Sequence, residues 1–422
     1  MILSSASVPL LGLVDTAILG HLSSPVFLAA SALGASALSF MYWGFGFLRM
    51  GTTGETAQTK GKHGDLVAVL MRSVTLALLI AVLLVIFRSI LANVALAVMA
   101  PLGEMRELAI SYCEIRMLSA PAVLINYALM GWFIGRGETR MPMIVMISVN
   151  ALNIPLDWIL VVEMGLNSDG AAYATVVADY VGLAVATVWT LKVLSREALH
   201  CTVASLMDVA AIGRTVSVNL NLFVRTVSLL FAFAFFHSRG ALFGPEITAA
   251  NAILMNLLML TAFGLDGFAL SAETLVGQAL GAKQREVLTD TILECARWSA
   301  LTTMLFFLLY IALMPWTGVL FSASATVQEL VREHYGWLLA LPLVAAPSYL
   351  YDGVFVGATR SHEMRNSMLL SVFVVFIPLW YSTQGLGNHG LWLSFALFSL
   401  FRGLSLGWIF HRSGNGQSWL SD

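Results

Sequence analysis

Long apolar stretches follow one another along almost the whole of this 422-residue chain. Hydrophobic residues make up 59% of it, and charged residues only 11%. A helix that crosses a bilayer needs about 20 apolar residues, so the chain has room for about twelve transmembrane helices and for almost no soluble domain. We therefore predict an all-α integral membrane protein.

Polar breaks between the apolar stretches divide the chain into spans and lobes. The longest break, at 192–214, lies in the middle and is the natural linker between two halves. We predict an N-terminal lobe at 1–193, a cytoplasmic linker at 194–208 and a C-terminal lobe at 209–422. The first span begins almost at Met1, so we expect that a short cytoplasmic segment precedes it in the natural protein. The predicted spans are 2–20, 26–50, 66–88, 107–135, 141–162, 170–193, 209–236, 247–273, 290–314, 328–357, 366–381 and 389–410.

Basic residues separate between alternate loops, and this fixes the predicted orientation. The positive-inside rule places the richer set in the cytoplasm and predicts that both termini are cytoplasmic. The poorer set holds Arg88, Arg106, Arg239 and Arg332. The richer set holds Lys60, Lys62, Arg72, Arg136, Arg140, Lys192, Arg196, Arg214, Lys283, Arg285, Arg297, Arg360, Arg365 and Arg412.

Short segments recur in the same order in both halves of the chain. SVPLLGLVDT from Ser7 aligns with SVNLNLFVRT from Ser217, and FGFLRMGTTGETAQ aligns with FGLDGFALSAETLVGQ. GWFIG and IPL likewise recur, the former as GVFVG. A parallel repeat of six helices is predicted, which gives two pseudo-symmetric lobes that face a central cleft. Rocking of one lobe against the other is the usual function of such a repeat.

Several polar side chains of the first half fall within predicted spans. Asp15 lies inside the first apolar stretch, where an ionised group costs about 2.5–3.5 kcal/mol. On the fifth span Asn150, Asn153 and Asp157 share one helical face, and Pro155 between them is expected to kink the helix. Such residues are more often functional than structural in a membrane span.

The sixth span adds Thr175 and Asp179, which are one helical turn apart. Carboxyl groups close together in low dielectric resist simultaneous ionisation, so we expect at least one of them to carry a proton near neutral pH. The same oxygen ligands would also suit a sodium ion. For Asn126, Asn150 and Asp179 a purely structural polar network remains open as an alternative.

The second half carries intramembrane charges of both signs. Arg225, Asp266, Asp352 and Arg402 fall within its spans, and we expect them to neutralise one another mainly as structural pairs. Neither the three cysteines nor the eight histidines form a recognisable metal-binding spacing. No cofactor, no resident metal site and no nucleic-acid partner are expected.

Several segments together resemble the multidrug and toxic compound extrusion (MATE) transporters. These are VDTAILGHL, RMGTTGETAQ, CEIRMLSAPA, GWFIGRGETR, LDGFA, YDGVFVGATR, EMRNSM and FRGLSL, and they are similar to the DinF-type branch in particular. The resemblance covers essentially the whole chain. It implies a V-shaped pair of six-helix lobes and export of cationic or amphipathic compounds, driven by proton or sodium entry.

The resemblance also implies which residues couple transport to an ion. In the DinF-type branch the coupling site matches Asp15, Asn153, Asp157 and Thr175 of this chain. The NorM-type branch instead has a second-lobe cation site with an acid on the seventh helix, where this chain has Arg225. We also expect substrate contacts from four other residues of the first lobe. These are Asn150, Asn126, Tyr112 and Asp179.

We therefore predict a monomeric, proton-coupled antiporter of drugs in the bacterial inner membrane, with Asp15 as the protonation site. Its partners would be small organic cations, protons and membrane lipid. Two alternatives stay open: sodium-coupled export through the same residues, and flipping of a lipid-linked substrate. An integral membrane enzyme is not predicted, because no nucleophile elbow or phosphate loop is present in the sequence.

Overall fold

The computed structural model of the protein describes residues 18, 19, 22, 24–99, 103–197 and 203–420. Nearly all of these residues are helical, and no strand occurs among them. The first predicted span, 2–20, lies almost wholly outside the described residues, and Asp15 lies outside them as well.

Eight helices form the first half of the described chain, and seven form the second half, with one additional turn at Val203–Leu206 between them. The first eight are α1 Pro25–Gly44, α2 Phe47–Gly61, α3 Leu66–Ile86, α4 Arg88–Met99, α5 Glu104–Met117, α6 Ala120–Gly135, α7 Arg140–Asp157 and α8 Asn167–Arg196. The others are α9 Val209–Ala241, α10 Pro245–Gly281, α11 Arg285–Phe321, α12 Ala325–Gly357, α13 Ser361–Leu370, α14 Ile377–Thr383 and α15 Asn388–Arg412. Wider π-helical turns occupy Trp158–Glu163 and Ser371–Phe376.

The predicted membrane spans, from the second to the twelfth, each coincide with helical structure. Ten helices of the described chain are long and apolar enough to cross a membrane, and α5 with α6 would make an eleventh. That pair is bent by 48° at a short break, and Pro121, which lacks a backbone N–H, stands near the start of α6. The predicted all-α membrane architecture is therefore confirmed. The short helix α4 was not predicted.

The chain forms two compact units. The first comprises Met1–Thr56 with Gly64–Val216, and the second comprises Ala57–His63 with Ser217–Asp422. The predicted lobes divided the chain between 193 and 209, whereas the first unit extends into α9. The end of α2 belongs to the second unit because it packs closely on α10, where a β-carbon on Gly61 would lie 2.2 Å from the carbonyl oxygen of Gln278.

Packing inside the first unit centres on Trp132 and Phe133 of α6, which are fully buried with their rings edge to face 5.0 Å apart. Leu70 of α3 and Met141 and Val145 of α7 pack around them. The Trp132 indole N–H donates to the carbonyl of Leu66 at 2.9 Å, so the polar edge of this large side chain is satisfied inside the unit.

The core of the second unit is richer in aromatic residues. Phe236 of α9 lies 4.8 Å from Trp392 and 5.2 Å from Phe395 of α15, measured between ring centroids. Beside them Asn251 and Asn388 exchange two amide hydrogen bonds of 2.8 and 2.9 Å, and Trp392 donates a third to Asn251. Two polar residues are thus buried without leaving an unsatisfied amide.

The helices α10 and α12 approach so closely that a glycine is required between them. A β-carbon on Gly353 of α12 would lie 2.3 Å from the carbonyl oxygen of Ala269 on α10, which is far inside van der Waals contact. A β-carbon on Gly336, in the first half of α12, would meet no atom within 4 Å.

We predict that Gly353→Ala lowers the thermal stability of the protein, because backbone atoms of α10 cannot move aside. Overpacking of this kind costs about 1–3 kcal/mol. The measurement is the unfolding temperature of the purified protein in detergent. Gly336→Ala on the same helix is the control and should not destabilise, since alanine is the better helix former. Equal stability of the two variants would contradict the packing argument.

Candidate functional site

A buried polar cluster lies between α7 and α8 in the first unit. Asn153 and Asp157 are one turn apart on α7 and are 0% and 1% exposed. Thr175 of α8 faces them across the helix pair. The predicted face of the fifth span thus brings together three of the four residues predicted to couple transport to an ion, and the fourth, Asp15, lies outside the described residues.

The local backbone explains how Thr175 reaches this position. Pro155 lacks the N–H that would close the helical turn behind it, and the chain widens into the π-helical turn Trp158–Glu163 directly afterwards. A β-carbon on Gly170 would lie 2.8 Å from the carbonyl oxygen of Leu160. The first turns of α8 therefore rest directly on the widened turn, which brings Thr175 beside Asn153.

The Asn153 amide stands between the carboxyl group and the hydroxyl group. One end of the amide lies 2.8 Å from Asp157 Oδ2, and the other lies 3.2 Å from Thr175 Oγ1. Thr175 Oγ1 also lies 3.0 Å from the carbonyl oxygen of Ala171. These positions suit two different hydrogen-bonding patterns, because an amide group presents a donor at one end and an acceptor at the other.

The protonation state of Asp157 decides between the two patterns. When Asp157 is ionised, the Asn153 nitrogen donates to it and the amide oxygen accepts from the Thr175 hydroxyl. When Asp157 is protonated, its O–H donates to the amide oxygen, and the amide nitrogen donates to Thr175, whose hydroxyl then donates to Ala171. Between the two patterns the Asn153 amide turns over, so that its nitrogen and oxygen exchange places, while Asp157 and Thr175 need not move. The cluster can therefore hold or release a proton with both ends of the amide still hydrogen-bonded.

A second polar cluster in the first unit contains an ion pair. Arg116 of α5 donates to Asp179 of α8 at 3.0 Å and to the hydroxyl of Ser119 at 2.9 Å. Tyr42 of α1 donates to the carbonyl oxygen of Arg116 at 3.2 Å, so three helices meet here. The ion-pair partner of Arg116 is thus Asp179, on another helix.

The remaining predicted substrate contacts are buried or half-buried side chains of the first unit. Tyr112 is 6% exposed, and its ring packs against Gly34 of α1. Asn126 of α6 is 8% exposed and lies near Gly182 of α8. Asn150 is half-buried on α7, one turn before Asn153. Contact of these residues and of Asp179 with substrate stays a prediction.

In the second unit the intramembrane charges form a compact group. Arg225 of α9 donates to Asp352 of α12, and Arg402 of α15 lies 3.3 Å from the same carboxylate oxygen. Arg402 also donates to the hydroxyl of Ser348 at 2.8 Å. The predicted neutralisation of opposite charges is therefore confirmed for these three residues. The Arg225 guanidinium thus supplies the positive charge that balances the Asp352 carboxylate, and a bound cation is not needed for that purpose.

Two histidines that are 55 positions apart in sequence meet in the second unit. The rings of His334 on α12 and His389 on α15 stack with 4.3 Å between their centroids, and Glu333 lies beside them. The sequence had indicated scattered histidines. Only the packing of α12 against α15 brings these two together, and no spacing within the sequence could have indicated it.

Comparison with known proteins identifies the family. The family model described as MatE matches residues 1–159 and 220–382. DNA damage-inducible protein F of Escherichia coli K12 is 38% identical to this chain over 423 residues, which cover 100% of this chain and 92% of that protein. The chain belongs to the MatE family.

More distant relatives agree with this assignment. The probable multidrug resistance protein NorM of Thermotoga maritima is 27% identical over 66% of this chain and 60% of its own length. Among solved structures, a MATE protein in a bent conformation superposes with a TM-score of 0.89 at 21% identity, over 100% of this chain and 95% of that one. A transporter from Pyrococcus furiosus, titled as having a binding pocket of reverse polarity, has a TM-score of 0.86 at 21% identity over 100% and 94%.

Membership of the MatE family makes this protein a membrane transporter of the multidrug and toxic compound class, rather than an enzyme. The predicted resemblance to MATE proteins and the predicted fold are both confirmed.

We predict that Asp352→Asn destabilises this MatE protein strongly, because it leaves two buried guanidinium groups without their shared carboxylate. Removing one partner of a buried ion pair costs about 3–5 kcal/mol. The measurement is again thermal unfolding in detergent. Glu329→Gln is the control, since Glu329 forms an exposed pair with Arg332 at 4.0 Å on the same helix and should change stability by less than about 0.5 kcal/mol. Comparable losses in both variants would contradict the role of Asp352.

Proposed function

We propose that this protein exports cationic and amphipathic drugs across the bacterial inner membrane in exchange for protons, with both of its termini in the cytoplasm. The observation that carries the proposal is the Asn153 amide, which contacts Asp157 at 2.8 Å and Thr175 at 3.2 Å in positions that suit either protonation state of the acid. A proton carrier needs an acid whose ionised and protonated forms are both hydrogen-bonded, and we assign that role to Asp157 in this cluster.

The two states of the cluster differ in charge. Ionised Asp157 is a buried negative charge, and such a charge attracts an organic cation in a medium of low dielectric. Protonation removes that attraction and reverses the direction of donation from Asp157 through Asn153 to Thr175. Drug and proton therefore compete for the same first-unit carboxylate, which is the basis of antiport.

Asp15 would share this proton. The sequence places it in mid-span of the first apolar stretch, and the family resemblance assigns it to the same coupling site as Asn153, Asp157 and Thr175. With Asp179 engaged by Arg116, Asp15 and Asp157 are the first-lobe acids that we assign to coupling. We assign Asp15 as the first acceptor of the incoming proton.

Sodium coupling through the same residues is the nearest rival. A sodium ion is best held when the amide oxygen and the carboxylate face it together. The amide oxygen turns toward Thr175 in the orientation that satisfies ionised Asp157, and the opposite orientation is satisfied once Asp157 is protonated, so neither state needs a metal ion. This favours the proton.

Lipid flipping would require basic groups that are available to a phosphate headgroup. Arg116 is paired with Asp179, and Arg225 and Arg402 share Asp352. These three arginines within the membrane spans are therefore already engaged by acids, and drug export is the better-supported function.

The coupling ion can be tested directly in proteoliposomes loaded with a fluorescent organic cation. We expect an imposed proton gradient to drive transport in the absence of sodium, and a sodium gradient at equal pH to drive none. The reverse result would establish the sodium-coupled alternative. Movement of a labelled lipid headgroup with no transport of the cation would instead favour the flippase.

We predict that Asp157→Asn abolishes proton-driven export, because the cluster can no longer change its charge. Thr175→Val keeps the side-chain shape but removes one hydrogen-bond partner, so transport should fall about three- to tenfold. The measurement is the initial rate of efflux at matched expression in the membrane.

Asp169→Asn is the matched control on the same helix. Asp169 accepts from Ser111 at 3.0 Å and lies two turns from the cluster, so export should persist. Normal export by Asp157→Asn, or an equal loss in Asp169→Asn, would contradict the assignment.

A further inference from the structure

We propose that Glu333, His334 and His389 form a binding site for a divalent transition-metal ion such as Zn²⁺. Each of these residues offers one ligand atom, and the three atoms all lie within 4.8 Å of one another. Glu333 and His334 stand in the third turn of α12 and His389 at the start of α15, all within the second unit. The proposal is independent of the transported substrate and of the coupling ion.

His334 is already oriented as a metal ligand. Its residue is 3% exposed, and its Nδ1 lies 2.9 Å from the carbonyl oxygen of Leu330. Because a carbonyl oxygen only accepts, Nδ1 carries the ring proton, and the lone pair is on Nε2. A backbone carbonyl that fixes the tautomer in this way is the usual outer contact of a metal-binding histidine.

His389 and Glu333 complete the donor set from a more mobile position. His389 Nε2 lies 3.3 Å from Glu333 Oε1, and the two side chains are 43% and 52% exposed. Ligand atoms around tetrahedral zinc are about 3.4 Å apart, since each lies about 2.1 Å from the ion. The rings of His334 and His389 are nearly parallel, so the exposed His389 ring must turn out of this stack to aim Nε2 at a shared ion, with Glu333 following and a fourth position left for water.

The backbone beneath the site is rigidly held. Asn388, the residue before His389, exchanges two amide hydrogen bonds with Asn251 of α10. The start of α15 is therefore anchored to the aromatic core, so that the entropic cost of ordering the site falls on two side chains rather than on a loop.

The donor set indicates which ions would bind. Two imidazole nitrogens and one carboxylate oxygen suit Zn²⁺, Co²⁺, Ni²⁺ or Cu²⁺, whereas Mg²⁺ and Ca²⁺ prefer oxygen ligands throughout. A bound ion would tie the beginning of α12 to the beginning of α15. In the orientation proposed above, these helix ends face the outside of the cell, where external metal ions have access.

A nearby tryptophan controls the affinity of the site. The Trp337 indole N–H donates to His389 Nδ1 at 3.1 Å, and an indole nitrogen can only donate. Without metal, the His389 proton therefore lies on Nε2 and points to Glu333. A metal ion at Nε2 displaces that proton to Nδ1, and the bond from Trp337 must then break. The tryptophan thus competes with the metal.

The test uses the purified, tag-free, full-length protein in detergent. Added ZnCl₂ is expected to raise the unfolding temperature, and CoCl₂ is expected to give the visible absorption of a tetrahedral nitrogen and oxygen site. His389→Gln should weaken zinc binding at least about tenfold, as should His334→Gln. His389 is exposed, so its variant stays informative if the buried His334→Gln variant fails to fold.

Two further variants distinguish a specific site from general binding to histidine. His411→Gln, in the last turn of α15, is the matched control and should bind zinc like the natural protein. Trp337→Phe removes the competing hydrogen bond and should tighten zinc binding about fivefold. Absence of a zinc-dependent shift, a shift of equal size with MgCl₂ or in His389→Gln, or unchanged affinity in Trp337→Phe would overturn the proposal.

Discussion

A polar side chain on a helix that crosses lipid has no water to bond with, so its partner must come from another part of the protein. This constraint accounts for most of the interhelical polar contacts described above. Arg116 joins α5 to α8 through Asp179, and Arg225 and Arg402 join α9 and α15 to α12 through Asp352. Each such contact fixes which helices are neighbours, because the loss of a partner inside the membrane costs several kcal/mol.

The same constraint divides the chemistry between the two units. In the repeat, the IPL segment at 154–156 aligns with that at 377–379, so Asn153 and Asp157 correspond to Phe376 and Trp380. Both aromatic residues are buried, Phe376 fully, in the core of the second unit. The first unit thus keeps a protonatable group where the second has an apolar core.

Much of the fold was predictable from the sequence, because hydropathy alone determines where a chain can cross a membrane. The polar face with Asn153 and Asp157 follows from helical periodicity. The amide that links Asp157 to Thr175 depends on the axial offset between α7 and α8, which Pro155 and Gly170 determine through backbone contacts.

Pairings between distant helices were the least accessible to sequence analysis. The sequence gives no partner for Arg116, because charge type and depth cannot select among several acids at similar depth. Its ion-pair partner Asp179 lies 63 positions away. The meeting of His334 and His389 was missed for the same reason. In both cases the rotation of one helix about its axis, set by packing of side chains on all its faces, decides the contact.

The two π-helical turns have a consequence for the evolutionary history of the chain. Each such turn contains one residue more than a turn of α-helix. The extra residue rotates the side chains that follow it by about 100° around the helix axis. The turn at Trp158–Glu163 follows its IPL segment, whereas the turn at Ser371–Phe376 precedes the other. In the predicted repeat the two halves would therefore carry single-residue insertions at different places. Between those two places an alignment of the two halves is shifted by one residue. This shift makes the repeat harder to recognise in the sequence.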